Sequence, residues 1–387
     1  MVKVIIVHWH EIALKGENKP FFEEALRGNI ARALSFAEPR SVAVFAGRIV
    51  VSLAEGTDEA AVARALKQVF GIANFAIAVS LPYEKEAAFQ EIVANAKERT
   101  FETFRVSARR ADKNFPLTSQ EINVKLGAAI QAATGARVDL EQPDATFFVE
   151  IVRDRIFFYT KKEKGIGGLP VGVSGKVLAL VSSGFDSPVA AWKMMRRGCG
   201  IVFLHFHSYP STSAASRENV REIVKILTRY QYRATLLLVP LLPIQQEISR
   251  ANINPRERVV LYRRFMMRIA ERIAHTEGCG ALATGDSLGQ VASQTLENIG
   301  VISEAVSLPI FRPLIGENKE DIINASRTIG THDISAQPYE DCCSLFVPDH
   351  PETHAKLEAI ERSEQKLDVE RLIQEAIEKT ERKEYKL

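Results

Sequence analysis

The chain has 387 residues, of which 46% are hydrophobic and 25% charged, and its formal net charge is +2. This length predicts two or three domains, and the composition excludes a disordered or collagen-like chain. No apolar run approaches the ~18 residues that span a bilayer, and the small net charge favours no class of partner by itself. Four cysteines, two of them adjacent, do not form a disulfide framework, so we expect a cytoplasmic protein with no membrane association.

The first 56 residues alternate strands, a helix and turns, which predicts a small α+β domain. The apolar run at 2–7 is typical of a buried strand and lacks the cleavage site of a signal peptide. Apolar residues at helical spacing predict a helix over 20–33, and two strands are predicted at 41–45 and 48–53 around a turn.

Residues 57–164 repeat this alternation and predict a second α+β domain. The predicted helices and strands of this segment are helices at 59–70, 84–100 and 119–134, and strands at 73–79, 104–110, 145–152 and 155–160. The last two strands are close enough in sequence to form a hairpin.

The stretch 165–175 holds five glycines and a proline, which predicts a linker or a functional loop. Residues 176–387 then change to continuous apolar strands separated by helices. The predicted elements are strands at 177–181, 201–205 and 234–239 and helices at 188–196 and 216–230. Such strands indicate a parallel sheet with helices on both faces. The charged tail at 351–387 has helical spacing and predicts a solvated terminal helix.

A candidate anion site follows the first strand of this third segment, where residues 182–187 read Ser-Ser-Gly-Phe-Asp-Ser before Pro188. Small residues let a phosphate approach the backbone, and the amides at a helix amino end favour an anion. We expect Ser187 to cap the helix and Asp186 to suit a magnesium ion that bridges phosphates. The alternative is an ordinary capped strand-to-helix turn. Neither a Walker A motif nor a dinucleotide-binding fingerprint is present, because the required glycine spacing is absent.

This loop resembles the S-G-G-x-D-S loop of the PP-loop ATP pyrophosphatases, which adenylate a carbonyl oxygen and release pyrophosphate. The departure is Ser183, which stands where that loop has glycine. Five further stretches stand out: EIALKG at 11–16, SARRADK at 107–113, GGLPVG at 167–172, GDSLGQVASQT at 285–295 and EDCC at 340–343. In this order they resemble the motifs of the tRNA 4-thiouridine synthetase (tRNA sulfurtransferase) family.

The resemblance implies a multidomain α/β and α+β fold. It implies a ferredoxin-like domain at 1–56, a THUMP RNA-binding domain at 57–164, a glycine-rich linker at 165–175 and a PP-loop domain with a parallel sheet at 176–387. Many members carry a further rhodanese domain. We expect none here, because the chain ends at Leu387.

The resemblance also implies the residues that bind ATP. They are Leu180, Val181, Ser182, Ser183, Gly184, Asp186, Ser187, His205, Phe206, Arg263, Gly285 and Gln294. Physically, Phe206 can border an adenine ring and Gly285 permits close backbone approach. Within an arginine-rich helix, Arg263 and Arg264 are the expected phosphate ligands, and about half of its other arginines are expected to be solvated. Asp186 is also expected to be catalytic.

Cys343 is the cysteine that the resemblance implies as the persulfide carrier. Sulfur transfer requires a thiolate, and Asp341, two residues before Cys343, disfavours one, so the local sequence by itself does not select Cys343. Cys199 and Cys279 are typical of structural cysteines, and without a C-x-x-C pair we do not expect an iron–sulfur cluster. Which thiol or reductant resolves the spent carrier stays open, with Cys342 among the candidates.

Basic residues of the first two segments form the candidate RNA interface. The expected contacts are Lys15, Arg105, Arg109, Arg110 and Lys113. Contacts from such side chains to phosphates position a folded tRNA by its shape. Ordinary solvated charge is the alternative for basic residues of this kind.

The resemblance implies an enzyme that adenylates O4 of the uridine at position 8 of tRNA and replaces the oxygen with sulfur. The expected substrates and partners are ATP with Mg²⁺, tRNA, a cysteine desulfurase that donates the persulfide, and a second copy of the chain in a homodimer. Supply of sulfur to the thiazole ring of thiamin is a second use of the same chemistry. The alternatives are a tRNA-binding protein with a degenerate loop and another PP-loop ligase, such as a relative of NMN or GMP synthetase.

Overall fold

The computed structural model describes residues 2–338, 342 and 345–387. The chain divides into two compact units, with the boundary between Leu169 and Pro170. Each unit has its own sheet and its own apolar core.

Within the described part of the first unit, nine strands form one sheet in the order β2-β3-β1-β4-β8-β7-β5-β6, with β9 paired to β4. The strands are β1 (Val2–His8), β2 (Ser41–Val44), β3 (Ile49–Ser52), β4 (Asn74–Pro82), β5 (Thr103–Arg110), β6 (Arg137–Val138), β7 (Ala145–Val152), β8 (Arg155–Tyr159) and β9 (Glu163–Lys164). The helices are α1 (Lys19–Ala33), α2 (Glu59–Leu66), α3 (Lys85–Lys97) and α4 (Ser119–Thr134). The predicted helices and strands of 1–164 are therefore present with shifted ends.

Strand β4 pairs with β1 on one side and with β8 on the other. The predicted division at 56/57 lies before β4, so backbone hydrogen bonds join the two segments that it separates. That division and the linker at 165–175 remain predictions.

Alternation along β5 separates an apolar face from a basic one. Phe104 and Val106 are buried with Ile122 of α4 in one apolar cluster. Successive side chains of a strand point to opposite faces, so Arg105 and Arg109 lie on the other face of the sheet. The strand thereby holds two of the predicted RNA contacts on the side opposite α4.

The second unit is a six-stranded sheet, among the described residues, in the order β14-β13-β10-β11-β12-β15. Its strands are β10 (Lys176–Leu180), β11 (Gly200–His207), β12 (Arg233–Pro240), β13 (Ala281–Ala283), β14 (Ile310–Phe311) and β15 (Glu381–Lys386). Its helices are α5 (Asp186–Arg196), α6 (Ala215–Gln231), α7 (Leu242–Arg250), α8 (Arg258–Glu277), α9 (Leu296–Ser303), α10 (Lys319–Ile329), α11 (His332–Ser335), α12 (Leu357–Glu364) and α13 (Val369–Glu378).

All neighbouring strands of this sheet run parallel except β12 and β15. Leu204 and Phe206 of β11 pack with Phe265 of α8 in the apolar core, while α5 and α6 contact β10 and β11. Burial on both faces explains why these strands are apolar without alternation. The prediction of a helix-covered parallel sheet is confirmed.

The prediction of a solvated terminal helix over 351–387 is wrong. This segment forms α12, α13 and β15, and it buries Leu372 and Ile373 in the core of the second unit. Charge dominates the segment because β15 is an antiparallel edge strand with mostly exposed side chains. High charge therefore does not indicate full solvation here.

Candidate functional site

A cavity of about 570 Å³ opens beyond the carboxyl ends of β10, β11 and β13. It is lined by all but one of the residues predicted to bind ATP. These are Leu180, Val181, Ser182, Gly184, Asp186, Ser187, His205, Phe206, Arg263, Gly285 and Gln294. The edge formed by the carboxyl ends of parallel strands is the usual ligand position in open α/β sheets. Residues separated by more than one hundred positions in sequence thus meet at one site.

Ser183 is the remaining predicted residue, and it lies behind the cavity. Its side chain is fully buried, and its Oγ is 3.4 Å from Oγ of Ser216. None of the residues 182–187 has a positive φ, so the loop makes no conformational demand that requires glycine. Serine in the second position therefore fits this loop without backbone strain.

The loop is tied to the first turn of α5 by Ser187. Its Oγ accepts a hydrogen bond from the Ser182 amide at 2.7 Å and lies 3.1 Å from Ser182 Oγ. The helix begins at Asp186, so Ser187 lies inside the first turn, and the prediction that it caps the helix is wrong. The hydroxyl closes the loop instead. The first helical amides have no intrahelical partner and form the positive end of the helix dipole, which favours anions.

Two further polar residues reach the loop from later in the chain. Lys319, at the start of α10, places Nζ 2.7 Å from Oδ1 of Asp186, and Gln290 donates to Oδ2 of Asp186 at 3.0 Å. Both line the cavity. Lys319 cannot be recognised from the sequence, because one lysine at the start of an amphipathic helix is typical of a solvated charge. Gln290 belongs to the motif at 285–295, but nothing in that motif indicates a contact with Asp186.

His205 and Phe206 lie on opposite faces of β11 where the strand reaches the cavity. The Nδ1 atom of His205 is 2.9 Å from the Val181 carbonyl oxygen, and its Nε2 is 3.4 Å from Ser216 Oγ. Phe206 belongs to the apolar core and is 5% exposed. Phe206 therefore supplies apolar cavity wall, whereas His205 joins β11 to the loop that follows β10.

Gly285 follows β13 and lies against the first turn of α5. A Cβ atom there would be 2.7 Å from the Ser187 backbone nitrogen and 2.9 Å from the Asp186 carbonyl carbon. The close approach that glycine permits is therefore made by the protein's own backbone. Gly285 sets the distance between the phosphate loop and the segment that follows β13.

Arg263 reaches the cavity and forms an ion pair with the buried Asp286. Arg264, expected as a second phosphate ligand, does not line it. Its side chain is 2% exposed, bonds Glu364 at 2.8 Å and pairs with Glu304 at 2.9 Å. The prediction for Arg264 is wrong because adjacent helical residues point about 100° apart, which turns one arginine to the cavity and the next to the core.

The cysteines differ sharply in their surroundings. Cys343 lies outside the described residues, and its sequence neighbour Cys342 lines the cavity. Burial raises the pKa of the Cys279 thiol to about 11, and burial also raises the pKa of Cys199. Both of these thiols are therefore protonated near neutral pH and act as small apolar side chains.

Among the described residues, no three His, Cys, Asp or Glu side chains gather as a metal site would require. Asp186 is the described carboxylate at the loop that faces the cavity. In the same part of the chain, no helix is both long and apolar enough to cross a membrane.

The predicted RNA contacts divide between two faces of the first unit's sheet. Arg109 is exposed, and Arg105 bonds Thr146 Oγ1 at 3.2 Å on the same face. Arg110 points to the opposite face, where its guanidinium donates to the Phe115 carbonyl at 3.0 Å. Lys113 is exposed beside it. The contiguous arginine pair therefore does not form a single basic patch.

Lys15 lies 5.0 Å from the ring centroid of Phe22, at the amino end of α1. Lys162 lies 4.6 Å from the ring centroid of Phe148, which stacks on Tyr159 at 5.0 Å. Burial and the charge of Arg109 lower the pKa of Lys162. The grouping of Lys162 with Phe148 and Tyr159 is not visible in the sequence, because positions 148 and 159 belong to different strands and 162 to neither.

Models of known protein families match three segments of the chain. Residues 172–369 match the family described as thiamine biosynthesis protein (ThiI), residues 4–76 match the ThiI ferredoxin-like domain, and residues 86–161 match the THUMP domain.

Curated relatives extend over nearly the whole chain. A probable tRNA sulfurtransferase of Moorella thermoacetica is 44% identical over 98% of this chain and 97% of its own length. A protein of the same name from Thermus thermophilus is 43% identical over 98% of this chain and 93% of its own length.

Two solved structures also match most or all of the chain. A crystal structure of a 4-thiouridine synthetase–RNA complex with bound ATP matches with a TM-score of 0.90 and 35% identity over the full length of both chains. A protein of Pyrococcus horikoshii matches with a TM-score of 0.65 and 26% identity over 85% of this chain and 99% of its own.

Proposed function

We propose a reaction in two steps for this chain, which belongs to the ThiI family and is an ATP-dependent tRNA sulfurtransferase. In the first step, O4 of the uridine at position 8 of tRNA attacks the α-phosphorus of ATP, and pyrophosphate leaves. In the second step, the terminal sulfur of a Cys343 persulfide attacks C4, and AMP leaves. Two electrons from a thiol reductant then cleave the S–S bond and release 4-thiouridine.

The observation that carries this proposal is the convergence of the predicted ATP residues on one cavity. Its volume of about 570 Å³ suits a nucleotide-sized ligand, since such pockets measure roughly 300–1,000 Å³. The phosphate loop follows β10, and Phe206 lies one residue before the end of β11, so the triphosphate and the adenine ring would lie at the ends of adjacent strands. Activation is necessary because uracil C4 carries an oxygen that does not leave until it is phosphorylated.

Asp186 and Lys319 are the charged pair that would handle the triphosphate. The Lys319 ammonium, 2.7 Å from Asp186, is able to turn to a phosphate oxygen and leave the carboxylate to a cation. Mg²⁺ keeps several waters and needs one or two carboxylates with phosphate oxygens, which one aspartate at the loop satisfies. When bound, Mg²⁺ neutralises charge on the phosphates. Arg263 is the second cation of the cavity.

Cys343 is proposed as the sulfur carrier, with a cysteine desulfurase as the donor. Support comes from the EDCC motif at 340–343 and from the position of Cys342 on the cavity wall. Cys199 and Cys279 are poor alternatives, because burial keeps both thiols protonated.

We propose that tRNA is bound by the first unit through Arg105, Arg109 and Lys162, with Lys15 as a separate contact. Exposed basic groups beside aromatic rings suit a backbone phosphate and an adjacent base. A cytoplasmic location, a homodimer and sulfur supply to the thiamin thiazole ring belong to the same proposal.

The direct test is pyrophosphate release by the purified protein with ATP, Mg²⁺, a persulfide donor and unmodified tRNA, combined with mass analysis of the tRNA nucleosides. We expect tRNA-dependent pyrophosphate release and 4-thiouridine at position 8. Asp186→Asn and Lys319→Gln should each abolish the release, because each removes one charge at the phosphate loop. Binding of tRNA without pyrophosphate release by the unchanged protein would favour the alternative of a degenerate loop.

A further inference from the structure

Asp286 is a buried carboxylate at the wall of the cavity, and it accepts hydrogen bonds from four neighbouring side chains. Its side chain is 5% exposed. Oδ1 accepts from Arg263 and from Gln294 Nε2, the latter at 3.4 Å. Oδ2 accepts from Thr284 Oγ1 at 2.7 Å and from Arg312 Nε at 3.3 Å. One carboxylate therefore holds both Arg263 and Gln294, two of the residues proposed to bind ATP.

The charge state of Asp286 determines which end of the Gln294 carboxamide points towards the carboxylate. Burial by itself raises the pKa of the Asp286 carboxyl, but Arg263 and the Thr284 hydroxyl outweigh it and hold that pKa below its usual range. An ionised carboxylate only accepts hydrogen bonds, so the Gln294 amide nitrogen must point to it. The Oε1 atom of Gln294 is consequently the end of the carboxamide that points away from Asp286.

That oxygen has no hydrogen-bond partner within the described part of the chain, although Gln294 is 8% exposed and lines the cavity. A buried acceptor without a donor costs stability unless a ligand satisfies it. Phosphate oxygens are acceptors as well, so the expected partner is an N–H or O–H group of a bound nucleotide or base.

We propose that Asp286 is the positioning residue of the nucleotide site: it aims the Arg263 guanidinium at the phosphates and presents Gln294 Oε1 as an acceptor for a ligand donor. Asp286 acts through these two side chains. The inference rests on the proposed function, because it takes the cavity to be the site of adenylation.

A positioning role predicts a specific split of the kinetic constants. Asp286→Asn removes a negative charge near the proposed position of the triphosphate, and the stronger attraction for ATP offsets the hydrogen bond lost at Gln294, so the KM for ATP should not rise. The Arg263 guanidinium loses its anchor, and Asn also offers an amide donor that lets Gln294 turn over. We therefore expect kcat for tRNA-dependent pyrophosphate release to fall by about 100-fold.

Glu364 offers a matched control in the same unit. It is also a buried carboxylate that holds two arginines of α8, Arg264 at 2.8 Å and Arg268 at 2.7 Å, and it does not line the cavity. Glu364→Gln should lower the melting temperature and leave both kcat and KM unchanged.

The experiment measures kcat, KM for ATP and the melting temperature for D286N, E364Q, R263Q and the double variant R263Q/D286N. Because Asp286 acts partly through Arg263, the two kcat losses should be less than multiplicative in the double variant. T284V keeps the carboxylate and removes one hydrogen bond, so it tests the same idea if D286N does not fold; its kcat should fall about fivefold.

Unchanged kcat in a folded D286N or in T284V would overturn the inference, as would fully multiplicative losses in the double variant. Failure of the proposed function has a different signature, since the unchanged protein would then release no pyrophosphate with tRNA.

Discussion

At the scale of single residues, the environment of a side chain separates candidates that look alike in sequence. Arg263 and Arg264 are adjacent, yet one reaches the cavity and the other forms buried ion pairs with Glu364 and Glu304. Breaking a buried pair by removing one partner costs about 3–5 kcal/mol, so Arg264 is expected to matter for folding and Arg263 for ligand binding.

Cys343 is the proposed sulfur carrier, and its role is separable from adenylation. Cys343→Ala should abolish 4-thiouridine in tRNA while ATP-dependent pyrophosphate release persists, because the carrier acts after adenylation. Nucleoside mass analysis and a pyrophosphate assay measure the two steps separately.

The control is Cys279→Ala, since burial raises the pKa of that thiol to about 11 and leaves it protonated. Thiolation should be retained in this variant. Normal 4-thiouridine in cells that carry Cys343→Ala would refute the assignment of the carrier.

At the scale of elements, the site depends on how closely the segment after β13 approaches the first turn of α5. A methyl group on Gly285 would lie 2.8 Å from the Ser187 Cα atom, and backbone is unable to yield as a flexible side chain does. The position of the phosphate loop is therefore set by contact between two elements about one hundred residues apart.

Gly285→Ala should lower the free energy of unfolding by about 1–3 kcal/mol and reduce pyrophosphate release, because the loop must shift to avoid the new methyl group. Denaturant unfolding and the kinetic assay give the two quantities.

Gly300→Ala in α9 is the matched control. Apart from its chain neighbours and the backbone of its own helix, no atom lies within 4 Å of a Cβ built there, and alanine favours a helix, so stability should be unchanged or slightly higher. Equal losses in both variants would contradict the argument from close approach.

At the scale of the whole molecule, binding of a large RNA and chemistry on one base are assigned to different units. The basic and aromatic face of the first unit carries Arg105, Arg109 and Lys162, while all the described residues that line the cavity belong to the second unit. Glu150, opposite Arg109 in the β5–β7 register, bonds Arg48 at 2.6 Å and Tyr159 at 2.7 Å and so fixes the strands beneath this face.

The two neighbouring arginines of β5 should behave differently towards tRNA. Arg109→Ala should weaken binding and reduce the slope of log K against log salt by about 1, because one phosphate contact is lost.

Arg110→Ala is the comparison, since Arg110 donates to the carbonyls of Lys113 and Phe115 on the opposite face. This variant should lose stability and keep the salt slope. Binding titrations at several salt concentrations distinguish the two, and equal slopes for both variants would place the RNA elsewhere.

The sequence by itself determined most of the elements up to residue 239, the family and eleven of the residues that line the cavity. Apolar runs and helical spacing are local properties, and the phosphate loop is six contiguous residues, so both can be recognised before the fold is known. Ser183 looked like a departure until the backbone of the loop proved to need no glycine there.

Only the tertiary structure decided which charges serve the site. Lys319 forms an ion pair with Asp186, and Asp286 bonds both Arg263 and Gln294. The charged tail at 351–387 adds the edge strand β15 to the sheet of the second unit. Each of these contacts links residues far apart in the chain or depends on the direction of a side chain. A linear pattern records the charge of such residues, whereas their partners are fixed by the packing of helices on the sheet.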